Sequence, residues 1–148
     1  MKSAADLIVR RPAWEALGFA VLLLSVPAIG QDFKPYATPK ITQAQWQRYF
    51  DEVKGKHANS AREVPAQHLV LFEDAKSRTS YAFTQPGHPA HPAWVARRVV
   101  QSSTAINIDQ VGYFAGDEPA FEGLFRAYLD LNDRIRQDIR TKLEKGGK

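Results

Sequence analysis

The chain has 148 residues, no cysteine, a formal charge of +4 and 44% hydrophobic residues. That length suits one domain of ordinary composition, able to bury a core without covalent help. The missing cysteine excludes thiol catalysis and disulfide support, and with Lys and Arg interspersed among Asp and Glu, no basic stripe marks a nucleic-acid partner.

The opening residues read as an export leader. Lys2, Arg10 and Arg11 precede an apolar run from Ala16 to Ile29, and Ala28 and Gly30 supply small side chains for cleavage. Residues 1–30 are therefore expected to be a signal peptide, because this run is shorter than the roughly 20 residues that span a bilayer. The expectation is a periplasmic or secreted protein with no stable membrane span after cleavage. Residues 31–40, with Pro35 and Pro39, predict an extended arm, and residues 41–148 a single domain.

In that domain Thr42 and Gln45 fit a capping box. Trp46, Tyr49, Phe50 and Val53 then recur at helical spacing on one apolar face, with Gly55 as the expected stop. Residues 57–66 are polar and read as a loop. Residues 67–73 (QHLVLFE) are apolar on both faces, as in a central strand, with His68 expected to be partly buried. A polar turn over 74–78 leads to residues 79–84, where Tyr81 and Phe83 share a face, so the two runs predict a hairpin.

Residues 84–93 (TQPGHPAHPA) are the most distinctive stretch. Pro86, Pro89 and Pro92 fix φ, and each disfavours the helical region for the residue before it, which includes His88 and His91. A polyproline-like connector would present both imidazoles toward water, about 9 Å apart along its axis. The expected binding residues are Tyr81, His88, Pro89, His91, Pro92 and Arg97. Zinc or copper held by His88 and His91 is the alternative, although the spacing matches neither a helical His-x-x-x-His nor a zinc ribbon.

Beyond the connector, residues 94–101 and 105–115 predict two more strands. Gly112 marks a bulge or a close approach, and Arg97 and Arg98 point to opposite faces. Asp117, Glu118 and Pro119 then start a helix of some 26 residues, whose stripe includes Phe121, Leu124, Phe125, Tyr128, Leu131, Ile135 and Ile139. The fold class is α+β: a four-stranded antiparallel meander with an N-terminal helix and a long C-terminal helix, both on one face.

The run YAFTQPGHPAHPA at residues 81–93, followed by Gly112-Tyr113-Phe114-Ala115-Gly116-Asp117 and Ala120-Phe121, resembles a group of small, uncharacterised exported bacterial proteins. The resemblance implies export and a bacterial source, and carries no assigned activity. The sequence has no nucleophile elbow or phosphate-cradling loop, and although Asp109, Asp117 and Glu118 could converge as a carboxylate pair, the helix start already accounts for Asp117 and Glu118, so the expected function is non-enzymatic. The domain is expected to recognise a protein or cell-envelope component through the connector and an exposed sheet face. A His-dependent metal-binding protein or hydrolase, and a helper that forms a homodimer through the C-terminal helix, are the alternatives.

Overall fold

A computed structural model describes residues 33–147. The export leader read over residues 1–30 lies outside the described residues. None of the described helices is long and apolar enough to cross a membrane. The compact unit described below starts at Tyr36.

Helix α1 (Gln43–His57) begins as its capping box dictates: Thr42 Oγ1 accepts from Gln45 N at 3.1 Å, and Gln45 Oε1 accepts from Thr42 N at 2.9 Å. The helix runs through Gly55, the residue expected to stop it. One interior glycine costs only about 1 kcal/mol, and Lys54, Lys56 and His57 complement the negative end of the helix dipole.

Five strands follow: β1 (Arg62–Val64), β2 (Leu69–Asp74), β3 (Thr79–Thr84), β4 (Ala93–Gln101) and β5 (Ile106–Phe114). They form one antiparallel meander in sequence order. The count is five, not four. Strand β1 lies where composition indicates a loop, because three residues of mixed polarity carry no readable periodicity and pair only through the register Arg62↔Leu71 to Val64↔Leu69. His68 is not a strand residue. It closes a 3-10 turn over Pro65–Gln67 with φ 51°, and it is exposed.

The two helices cover opposite faces of the sheet, which corrects the expectation that both lie on one. The reason is in β3 and β4, where Tyr81, Ala82 and Phe83, and Trp94, Val95 and Ala96, are buried whichever way they point. A strand apolar on both faces needs a cover on each.

On the first face, Trp46, Tyr49 and Phe50 of α1 meet Phe72, Tyr81, Phe83 and Trp94 in a layer of rings. Tyr49 stacks on Trp94 with centroids 4.4 Å apart, and Trp94 meets Tyr113 at 4.8 Å. The residues leading into α1, read from the sequence as an extended arm, bend over 36–39 and are tied to β5. Phe114 N donates to Pro39 O and Ile41 N to Phe114 O, which covers the end of the β5 edge, and Tyr113 Oη donates to Tyr36 O.

On the second face lies α2 (Glu118–Gly146), started by Asp117, whose Oδ2 accepts from Ala120 N at 3.0 Å. Its Phe121, Leu124, Phe125 and Tyr128 pack on Ala90, Ala93, Val95 and Phe114. The apolar stripe of this helix is thus engaged with the sheet over its first half. The large apolar residues α2 leaves exposed are Leu129 and Leu143. Gly112 pairs in register with Val95 and permits a close approach: a Cβ there would sit 2.7 Å from the rings of both Phe121 and Phe125.

Candidate functional site

The proline-rich connector folds back on itself instead of extending. His88 N donates to Gln85 O and His91 N to His88 O, each at 3.0 Å, so two turns follow one another. Gly87 sits at φ +102°, and a Cβ there would come within 3.0 Å of the His68 ring. The His91–Pro92 bond is cis.

Both imidazoles are engaged by this loop, contrary to the solvent-facing pair expected from a polyproline geometry. His91 Nδ1 lies 3.1 Å from Thr84 O and 2.9 Å from Thr84 Oγ1, and the ring meets Trp46 edge-on at 5.2 Å. Because a carbonyl only accepts, Nδ1 of His91 carries the proton. Thr84 Oγ1 in turn accepts from Ala93 N and donates to Ala93 O, which fastens the two ends of the connector together.

His88 Nδ1 accepts from Ala90 N at 3.0 Å, which places its proton on Nε2. Partial burial lowers both histidine pKa values; nearby His68 and His91 add to the effect at His88, while the Thr84 carbonyl opposes it at His91. Among the described residues no three His, Cys, Asp or Glu side chains gather as a metal site. His88 and His91 between them thus offer a ligand one uncommitted lone pair, at His91 Nε2. Pro86, Gly87 and Pro89 are exposed, and Pro92 is half-buried.

The other two expected binding residues lie elsewhere, and on opposite faces. Tyr81, 2% exposed, points into the α1 layer between Tyr49 and His57. Arg97, four residues along β4 from Ala93 and hence about 13 Å from the connector's end, pairs in register with Ser80 and Gln110 and faces α2. Its neighbour Arg98 reaches the other way, with Nε donating to Thr79 Oγ1.

Arg97 borders a groove. Helix α2 packs chiefly over β4 and β5, and the α2 face of β1–β3 is left as the floor of a cavity of about 450 Å³. Leu69, Leu71 and Ala82 supply apolar floor, Leu124, Ala127 and Leu131 the helical wall, and Arg62, Arg97 and Arg134 the charge, against one acid, Glu73. A separate cleft of about 980 Å³ lies between the β4–β5 turn and the distal half of α2, but there Asp133 and Arg136 neutralise each other.

The Arg97 guanidinium is held from behind by a chain of polar groups. Gln110 Nε2 donates to Phe125 O at 2.8 Å, Asn132 Nδ2 donates to Gln110 Oε1 at 2.8 Å, and Arg97 Nη1 donates to Asn132 Oδ1 at 3.2 Å. Asn132 is 1% exposed. The guanidinium also lies over the Tyr128 ring, 4.8 Å from its centroid, a cation–π arrangement. Burial pulls the Arg97 pKa down, while Tyr128 and Glu73 pull it back; burial also raises Tyr128, opposed by Arg97 and Arg62. No carboxylate among the described residues ion-pairs with Arg97 within 4.0 Å. Guanidinium donors beyond the Asn132 bond therefore remain for a ligand.

Asn132, Gln110, Tyr128 and Arg62 were not singled out as site residues by the sequence, yet two of them left a trace. Asn132 falls at the polar step of an otherwise apolar progression through Phe121, Phe125, Tyr128, Ile135 and Ile139, and Gln110 is the polar member of the parity shared by Ile106, Ile108, Gly112 and Phe114. A polar residue on each of two facing apolar stripes is the signal of a buried pair. Comparison of the chain with protein-family models, curated proteins and solved structures returns no match.

Proposed function

We propose that this chain is an exported, non-enzymatic binding module that holds a component of the cell envelope in the groove between α2 and strands β1–β3. The carrying observation is the unequal cover of the sheet: α1 closes one face with stacked rings, and α2 leaves beside itself a cavity of about 450 Å³ with an apolar floor and a fixed cation. That volume lies in the range of small-ligand sites, and an apolar lining with a few placed polar groups is their usual composition. Export is supported by the leader read over residues 1–30. The connector serves this module as a clasp joining β3 to β4, since Thr84, His88 and His91 spend their hydrogen bonds on its own turns.

Ala127 lines the groove from an exposed helical position, so Ala127→Trp fills the cavity without entering the core. An environment-sensitive apolar dye should bind the native protein and be lost in Ala127→Trp at unchanged melting temperature. Dye binding that is indifferent to this substitution would falsify the groove as the site.

A further inference from the structure

Resting on the groove as the binding site, we infer that its ligand is an organic carboxylate with an apolar tail, the carboxylate seated on Arg97 and the tail on the floor formed by Leu71 and Ala82. Three observations converge on that chemistry. The relay from Phe125 O through Gln110 and Asn132 orients the guanidinium before any ligand arrives, and a fixed planar fork matches a carboxylate with two parallel hydrogen bonds. Charge in the groove is unbalanced, with Arg62, Arg97 and Arg134 facing Glu73 alone. Finally, the sheet presents polar and apolar rows side by side: Glu73, Ser80, Arg97 and Gln110 are cross-strand neighbours, and the next row on the same face is Leu71, Ala82, Val95 and Gly112.

A head group on the first row therefore places a tail over the second, one pleat repeat or about 7 Å away. Purely inorganic anions would leave the leucine wall unused, and neutral apolar molecules would leave the half-buried guanidinium without a directly paired counter-charge. Glu73 is exposed and acts on Arg97 through space, so it competes with the incoming carboxylate and sets a ceiling on affinity.

Calorimetric titration with octanoate and with octan-1-ol tests the assignment on the full-length protein. Octanoate should bind at least tenfold more tightly than the alcohol, Arg97→Gln should abolish that preference, and Glu73→Gln should strengthen octanoate binding several-fold. Arg62→Gln, at an exposed position, should weaken it by a smaller factor, and it keeps the test valid if Arg97→Gln fails to fold. Equal affinity for acid and alcohol, or no effect of either arginine substitution, overturns the carboxylate and leaves the groove standing. Absence of binding by either compound, with the apolar dye still displaced by Ala127→Trp, has the same consequence. A dye insensitive to Ala127→Trp overturns the groove itself and the inference with it.

Discussion

On the α1 face of the sheet Tyr49, Phe83, Trp94 and Tyr113 are packed ring against ring, stacked or tilted, whereas on the α2 face a row of polar side chains crosses the strands beneath a helix that covers only part of them. Rings packed this way gain from burial and from their mutual geometry, and they leave little room for anything else. The other face gives up some apolar area to hold Asn132, Gln110 and Arg97 in a connected chain, in which the buried Asn132 amide is bonded at both its oxygen and its nitrogen while Arg97 keeps donors to spare. One face is thus filled by aromatic rings, and the other combines an apolar cluster with a polar chain.

The comparison is broken most severely by Trp94→Ala. Trp94 is fully buried between Tyr49, Phe83 and Tyr113, and its removal should cost about 3–5 kcal/mol in denaturant unfolding. A loss under 1 kcal/mol would show that the ring layer is not the main support. Gly112→Ala acts on the opposite face by pushing a methyl group into Phe121 and Phe125. It should cost about 1–3 kcal/mol and loosen α2, seen as faster amide exchange in that helix while α1 keeps its protection.

Asn132→Ala should cost about 1 kcal/mol, at the low end for breaking a buried hydrogen-bond chain, and should let the Arg97 side-chain NMR signal average over several orientations. A signal that stays fixed would mean that Tyr128 alone positions the guanidinium.

Acid sharpens the comparison at the connector. Folding lowers the pKa of His88 and His91 below the ordinary 6.5, so the unfolded chain takes up protons first. Their contribution is complete above that value and is lost as pH falls through it toward the folded values. Asp74, held low chiefly by the Ser77 hydroxyl, adds a second loss below its ordinary 3.8. Unfolding curves measured from pH 7 to pH 5 should show falling stability, and the double variant His88→Gln/His91→Gln should flatten that part of the profile. The smallest effect belongs to Lys56→Ala, which removes an exposed i, i+4 pair with Glu52 and should change stability by no more than about 0.5 kcal/mol.

Local signals in the sequence translate well into this fold. The Thr42–Gln45 box, the Asp117 cap, the β2–β3 hairpin and the opposed directions of Arg97 and Arg98 all follow from short-range spacing, and all are present. What spacing could not supply was partnership. Nothing within β3 or β4 says which helix covers which face, although strands apolar on both sides already require two covers. The connector misled for a related reason: three prolines restrict φ, yet the turn hydrogen bonds at His88 and His91 and the anchoring of His91 on Thr84 decide its path. The sequence expects Arg97 to bind beside the connector, whereas the fold sets it away from that loop, and the relay behind it runs through Asn132, which is 35 residues away in sequence, a contact that only the folded chain creates.

The most direct test of the central claim is an amide chemical-shift map recorded while a library of small organic fragments is titrated into the protein. Shifts concentrated on Leu71, Ser80, Arg97, Leu124 and Tyr128, with residues 84–93 unmoved, are the predicted result. Shifts centred on the connector, or scattered evenly over both faces of the sheet, would contradict it.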